Sequence, residues 1–220
     1  MQFVTGHILL RSALTPYACR NIVDYFVNSG NTVNMCALDL SKAFDKVNHQ
    51  ALFIKLMKRN IPVKLLPLIE NLFCCCSSCI KWNNVLCGVF QINLGVRQGS
   101  VLSPFLFAIY PDDLSKLCSS CTGCHIILHA HDILLISPSV TKLESLVHCC
   151  EHELAWLDVT INFKKSCCLR IVPRCDIDCC AITTLTWVAE LRYLGIFLVK
   201  SRSLKCSLDA AKRGFYRAGQ

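Results

Sequence analysis

The stretch IILHAHDILLI, residues 126–136, decides how this chain is read. Two short apolar runs flank a polar tip, His129-Ala130-His131-Asp132, which is the pattern of a tight hairpin with buried arms. Upstream, VNMCALDL at residues 33–40 is a second apolar run that ends on an acid. It predicts a buried strand delivering Asp39 at its end. An antiparallel sheet can bring a strand end beside a hairpin turn, so Asp39 and Asp132 are candidates for one shared carboxylate site. Hard oxygen donors in that arrangement suit Mg²⁺. Two such ions, about 3.5–4 Å apart, can activate an attacking hydroxyl and stabilise a leaving phosphate. Acids at strand ends are common, so spacing alone does not select this chemistry.

The flanking segments set the fold class. After the first strand, Val47, Ala51 and Ile54 lie three or four residues apart, as do Leu52 and Leu56, which predicts a helix. Pro62 predicts the start of a second helix through Leu65, Leu68 and Leu72, because proline is tolerated in a first turn. Residues 79–94 read as a hairpin around Asn83-Asn84. Ser103 followed by Pro104 predicts a capped helix running to about Leu117. Leu143, Leu146, Val147, Cys150, Leu154 and Leu157 form an apolar stripe on another helix. Strands over 167–172 and 193–199 complete the order. Strands and helices mix without strict βαβ alternation, so the class is α+β. No repeat, low-complexity tract or long linker interrupts the chain, and residues 1–220 read as one domain.

Composition narrows the function classes. Of the 220 residues 53% are hydrophobic, and the mean hydropathy of +0.44 excludes a disordered chain. The richest apolar stretch, residues 101–110, holds Ser103 and Pro104 and meets Asp112 and Asp113 at once, so nothing approaches the ~20 apolar residues of a membrane span. Residues 1–11 show no basic segment followed by an apolar core, so no secretory signal is expected. The expectation is an intracellular protein, in nucleus or cytoplasm, with no membrane partner and an open oligomeric state. Its 18 cysteines include a group at Cys74, Cys75, Cys76, Cys79 and Cys87 and the pairs Cys149-Cys150, Cys167-Cys168 and Cys179-Cys180. Without export they are expected to be reduced and mostly buried. Cys121-Thr-Gly-Cys124-His125 matches the C-x-x-C-H pattern of haem attachment, and Cys118 adds a hint of zinc. The lack of an export signal and the adjacency of Cys124 and His125 favour a plain loop.

The net charge of +8 is concentrated late in the chain. Arg192, Lys200, Arg202, Lys205, Lys212, Arg213 and Arg217 face one acid, Asp209, a net of +6. Such clustering suits a polyanion, since each Lys or Arg that neutralises a phosphate releases condensed counterions. A solvated helix face would carry the same residues.

Five segments give the reading its specificity. DLSKAFD (39–45), followed by KVNH, resembles motif A of non-LTR (LINE-type) retrotransposon reverse transcriptases. GVRQGSVLSP (95–104), continuing FLFAIY, resembles their motif B. HAHDILLIS (129–137) stands where motif C reads YADD before apolar residues. INFKKS (161–166) resembles motif D, and RYLG (192–195) resembles motif E. The resemblance implies a polymerase palm, an antiparallel sheet backed by helices, with partial fingers and no thumb. It implies RNA-directed DNA polymerase activity on an RNA template, a DNA primer and deoxynucleoside triphosphates, with two Mg²⁺ ions. Asp39 and Asp132 would then be metal ligands, helped by the backbone carbonyl of Leu40. Lys165, or its neighbour Lys164, would stand near the triphosphate as a cation and proton donor. Phe44 would lie under the incoming sugar, Arg97, Gln98 and Gly99 would touch nucleotide and template, and Tyr193-Leu194-Gly195 would grip the primer. Asp45 and Asp113 are expected to act as local caps or surface charges.

Motif C departs from that pattern. His129 stands in place of the tyrosine, and His131 in place of the first aspartate. Histidine at neutral pH is largely uncharged and prefers softer ions, whereas Mg²⁺ demands oxygen. The loss of one formal negative charge facing two dications is expected to impair catalysis. A deficit of ~4 kcal/mol slows a reaction about a thousandfold. Together with the short stretches before motif A and after motif E, this predicts a degenerate or partial copy. The alternative is a non-catalytic palm that binds nucleic acid.

Overall fold

The structure is a computed structural model, and it describes residues 8–9, 15–117, 123–173 and 185–209. Cys118, Cys121, the Cys179-Cys180 pair, Lys212, Arg213, Arg217 and most of residues 1–11 lie outside the described residues.

After a two-residue strand β1 (Ile8–Leu9), helix α1 (Thr15–Asn28) leads into the long strand β2 (Val33–Ser41). A 3-10 turn (Ala43–Lys46) and helix α2 (His49–Lys58) follow, then a second 3-10 turn (Val63–Leu65) and α3 (Leu66–Cys74). The short strands β3 (Ser77–Ser78), β4 (Lys81–Trp82), β5 (Val85–Leu86) and β6 (Phe90–Gln91) nest as the expected hairpin. Asn83 and Asn84 both take positive φ at its tip, the backbone that a two-residue turn requires. Helix α4 (Ser103–Ile109) and a 3-10 turn (Asp112–Lys116) precede the hairpin of β7 (His125–His129) and β8 (Asp132–Ser137). The described residues close with α5 (Val140–Trp156), β9 (Thr160–Ile161), β10 (Cys167–Ile171), β11 (Thr186–Trp187), β12 (Glu190–Tyr193), β13 (Ile196–Val199) and β14 (Lys205–Ser207).

The main sheet runs β1-β7-β8-β2-β10-β11, with β9 also paired to β2, and its central pairs β7-β8, β8-β2 and β2-β10 are antiparallel. Both faces are covered, which explains why its strands read as continuous apolar runs instead of alternating ones. Cys36, Leu38, Leu40, Ile133 and Leu135 pack into a core shared with α2, α4 and α5. Val33, Met35, Leu134 and Ile136 pack on the opposite face against Cys19, Ile22, Val23 and Phe26 of α1 and against Leu191 and Leu198 of the small sheet β12-β13-β14. All six stripe residues on or just after α5 are buried, as their spacing predicts. This is an α+β arrangement of a sheet backed by helices, antiparallel through its centre but with parallel outer pairs β1-β7 and β10-β11.

Several boundaries differ from the sequence expectations. Pro62 keeps an extended ψ of 127°, and α3 begins only at Leu66 with Pro67 in its first turn. Leu68 and Leu72 point outward while Phe73 is the buried residue of that helix, and Ile54 of α2 is likewise exposed. The helix expected from Ser103 to Leu117 is two pieces, because Pro111 lacks the N–H that would continue the ladder. Ser103 does not cap it: the residue lies inside the helix, and its hydroxyl donates to the Arg97 carbonyl at 2.5 Å. The run 193–199 is not one strand, since Leu194 and Gly195, both at positive φ, turn β12 back into β13. The cysteines divide. Cys19, Cys36, Cys124, Cys150 and Cys168 are buried, but Cys74, Cys75, Cys79 and Cys87 are exposed, and the described cysteines are free thiols. No described helix is long and apolar enough to cross a membrane.

The 3-10 turn after Pro111 is fastened by ion pairs. Asp112 pairs with Arg59, and Asp113 accepts from Lys116 at 2.5 Å and Lys55 at 2.8 Å. Lys116 and then Lys55 hold the Asp113 carboxyl at about 2, below its ordinary 3.8. A depressed folded value contributes stability above the unfolded pKa and loses it as the pH falls towards 2. The side chain is 39% exposed, so solvent screening cuts the contribution. Asp113→Asn is expected to cost about 1 kcal/mol at pH 7. Urea unfolding at pH 7 and pH 3 should show the gap to the parent protein narrowing in acid.

Candidate active site

Strand register brings the two singled-out acids together. β2 and β8 pair so that Asp39 stands directly opposite Asp132, and residues directly opposite share a face of the sheet. Asp132 is also opposite His129 across the turn Ala130-His131, where Ala130 takes a φ of 49°. That turn swings His131 back over the strand ends. One ligand atom each from Asp39, His131 and Asp132 all lie within 4.8 Å of one another, and no other such group occurs among the described residues. Nε2 of His131 is 3.9 Å from Oδ1 of Asp132.

The loop after β9 braces Asp39. Its backbone N–H donates to Ser166 Oγ at 3.1 Å, and its Oδ2 accepts from Asn162 Nδ2 at 3.3 Å. Asn162 N–H donates to the Asp39 carbonyl at 2.8 Å, so the strand end is held from backbone and side chain together. Lys165 Nζ stands 4.0 Å from the same carboxylate with a largely exposed side chain, which makes that attraction weak. Asn162 and Ser166 belong to the INFKKS segment but carry no signal of their own that would single them out.

Burial pushes the Asp132 carboxyl up from its ordinary value. The charges of His131 and His129 oppose that shift, and the neighbouring Asp39 carboxylate adds to it. Two carboxylates sharing one site without a cation repel, so the pair is poised to accept positive charge. Tyr193 lies within electrostatic reach on the same side. Its hydroxyl is buried without a hydrogen-bond partner, and burial, Cys19 and Asp132 all raise its pKa well above the usual range.

Beside Asp39 and His131 opens a cleft of about 840 Å³, which Asp132 does not itself line. Asp39, Leu40, Phe44, Gln98, Gly99, His131 and Lys165 all line it. Two segments next to the cleft are clipped together: Val96 N–H donates to the Phe44 carbonyl at 2.7 Å, and Gly95 N–H to the Val47 carbonyl at 2.8 Å. His49 Nε2 donates to the Gly95 carbonyl at 2.7 Å, and Gln98 Nε2 to Asp45 Oδ1 at 3.0 Å. Asp45 is thus a local anchor for Gln98. The Phe44 ring tilts against Phe107 of the core at 4.9 Å and meets the edge of His131 at 6.1 Å, so it serves packing and the cleft wall at once. Arg97 lines a neighbouring 1100 Å³ cavity that shares Gln98 and Gly99 with the cleft. Lys164 lines neither, and the turn Tyr193-Leu194-Gly195 stands outside both. Cys124 and His125 are spent on packing: Cys124 is buried near Ser137 Oγ, and His125 faces the Phe26 ring.

Known proteins share sequence and fold with this chain. Residues 3–198 match the profile of the family described as reverse transcriptase (RNA-dependent DNA polymerase). The RNA-directed DNA polymerase from mobile element jockey of Drosophila funebris is 27% identical over 195 residues, covering 82% of this chain and 21% of its own. The Transposon TX1 uncharacterized 149 kDa protein of Xenopus laevis is 25% identical over 194 residues, covering 83% of this chain and 15% of its own. The chain therefore spans a small part of the length of these relatives. Among solved structures, telomerase from Candida albicans superimposes with a TM-score of 0.67 over 90% of this chain and 34% of that one, at 13% identity, a likeness of fold.

Proposed function

Because the chain belongs to the reverse transcriptase (RNA-dependent DNA polymerase) family, we propose that residues 1–220 form the palm and part of the fingers of a non-LTR retrotransposon polymerase. Its nucleic-acid partners are an RNA template and a DNA primer, and its small-molecule substrates are deoxynucleoside triphosphates. The observation that carries this reading is the direct pairing of Asp132 with Asp39, which lines the 840 Å³ cleft. In this reading Leu40 offers its carbonyl beside Asp39, and Phe44 lies under the sugar. Arg97, Gln98 and Gly99 meet nucleotide and template. Lys165 faces the triphosphate, and the Tyr193-Leu194-Gly195 turn steadies the primer. The family's chemistry is nucleotidyl transfer supported by two Mg²⁺ ions, which activate the attacking hydroxyl and stabilise the leaving phosphate.

The donor set here does not fit that pair of ions. Two carboxylates and one imidazole face the site, whereas Mg²⁺ takes near-octahedral oxygen ligation. Two formal negative charges would have to hold four positive ones. We therefore read this copy as catalytically impaired while still able to hold nucleic acid, an ability that the net charge of +8 favours. Primer extension on an RNA template with Mg²⁺ should run about a thousandfold below an intact polymerase of this family. Binding of the same primer–template should persist and weaken steeply with salt. Incorporation at a normal rate would refute the impairment, and absence of salt-sensitive binding would refute the palm reading.

A further inference from the structure

We propose that Asp39, His131 and Asp132 form a site for a single first-row transition ion of the zinc class, taken in preference to Mg²⁺. The proposal rests on the reading of Asp39 and Asp132 as the metal-binding part of the palm, and it names the ion that this particular donor set selects.

Donor chemistry is the first ground. An imidazole nitrogen suits Zn²⁺, Co²⁺ and Ni²⁺, while carboxylate oxygens serve those ions as well as harder ones. Replacing an oxygen donor by nitrogen penalises Mg²⁺ most, because that ion dehydrates reluctantly and accepts little besides oxygen. Charge is the second. Two carboxylates and one dication balance, so one ion satisfies the site and a second finds no anionic ligand left.

Geometry is the third ground. Three protein ligands with one open position is the arrangement of a catalytic zinc centre, with ligand bonds of about 2.0–2.2 Å. The three side chains already stand within 4.8 Å of one another. His131, with 46% of its side chain exposed at the tip of a two-residue turn, can close the remaining distance by side-chain rotation. Asp39 cannot swing away, since Asn162 and Ser166 fix its carboxylate and its backbone. Hydrogen bonds to ligating groups of this kind orient them and sharpen affinity. Asp39 and His131 line the cleft, and an ion held by these three groups would keep a position for a water or a phosphate oxygen.

Co²⁺ is the probe that separates this site from the cysteines. Cobalt on carboxylate and imidazole gives only weak visible d–d bands, whereas cobalt on thiolate adds intense charge-transfer absorption in the near ultraviolet. The full chain, titrated with Co²⁺, should bind one equivalent with d–d bands. Zn²⁺ should displace it, and Mg²⁺ should fail to do so at about a hundredfold excess. His131→Asn should weaken Co²⁺ about a hundredfold, and His131→Asp should admit Mg²⁺ as a competitor. Both variants change an exposed turn side chain, and unchanged melting curves would verify that they fold. Charge-transfer bands that survive His131→Asn with no d–d component lost would put the ion on the cysteines and overturn the proposal. Displacement of Co²⁺ by equimolar Mg²⁺ would overturn the preference alone. Failure of both the parent and His131→Asp to bind any of these ions would overturn the metal-binding reading of the acids as well.

Discussion

Changing His131 to Asp together with His129 to Tyr is expected to raise Mg²⁺-dependent primer extension by about a thousandfold. The argument starts from charge. The turn Ala130-His131 points residue 131 at Asp39 and Asp132, so an aspartate there converts an Asp-His-Asp group into three carboxylates. Each 1.36 kcal/mol of transition-state stabilisation is tenfold in rate, and a recovered carboxylate facing two dications is asked to supply roughly 4 kcal/mol. The backbone need not move. The positive φ falls on Ala130, and residue 131 is half in solvent. The two changes are separable. His131→Asp alone should deliver most of the gain, while His129→Tyr alone, which adds no metal ligand, should deliver little. The measurement is best made in parallel on this chain and on a complete polymerase of the family carrying this palm segment. Silence of the double variant in that setting would assign the defect to some other part of the palm. The same exchange should narrow the preference for Co²⁺ over Mg²⁺, so the rate gain and the admission of Mg²⁺ as a competitor are expected to appear together.

What the sequence showed and what it hid follow from the range of the interactions involved. The β7–β8 hairpin was legible because both arms are unbroken apolar runs, and they are unbroken because helices or the small sheet cover each face. The same logic exposed β2 and its terminal Asp39. Helix α1 went unread although Cys19, Ile22, Val23 and Phe26 repeat at helical spacing. Its periodicity was present but the polar half of the segment diluted it. Helix ends are hard to read at the prolines: Pro67, not Pro62, opens α3, and with Pro111 ahead α4 stops about two turns short of Leu117. Leu68 and Leu72 match a buried stripe in sequence yet face outward, since spacing defines a face without saying what lies opposite. In the site, Asp39 and Asp132 could be named from strand ends and motif wording. Asn162 and Ser166 could not, because their bonds to Asp39 join residues more than 120 apart along the chain. No local pattern encodes a contact of that range. The proximity of Tyr193 to Asp132 was hidden for the same reason.

Gly95→Ala is expected to destabilise the protein by about 3 kcal/mol, well beyond the ordinary cost of a surface substitution. Gly95 takes a φ of +88°, and a Cβ built on it would stand 2.9 Å from the Asp45 carbonyl oxygen and 3.0 Å from Asp45 Cα and the Phe44 carbonyl oxygen. All three obstacles are backbone atoms, so no side chain can rotate out of the way. Retreat of the backbone would pull on the bonds Gly95 N–H to Val47 and Val96 N–H to Phe44, which clip the two segments together. Gly99→Ala is the matched control. Its φ of +81° imposes a similar conformational penalty, but nothing lies within 4 Å of the added carbon. That substitution should cost only about 1–2 kcal/mol, the price of left-handed backbone for an L residue. The difference between the two variants, read from urea unfolding, isolates the clash from the conformational term. Displacement of Phe44 should follow in the first variant alone, because Phe44 contributes both a clashing oxygen and the ring beside His131. Its signature is a chemical-shift change at the His131 ring protons under native conditions. Equal costs for the two glycines, or an unmoved His131 signal in Gly95→Ala, would show that the two segments do not close on each other as tightly as their hydrogen bonds require.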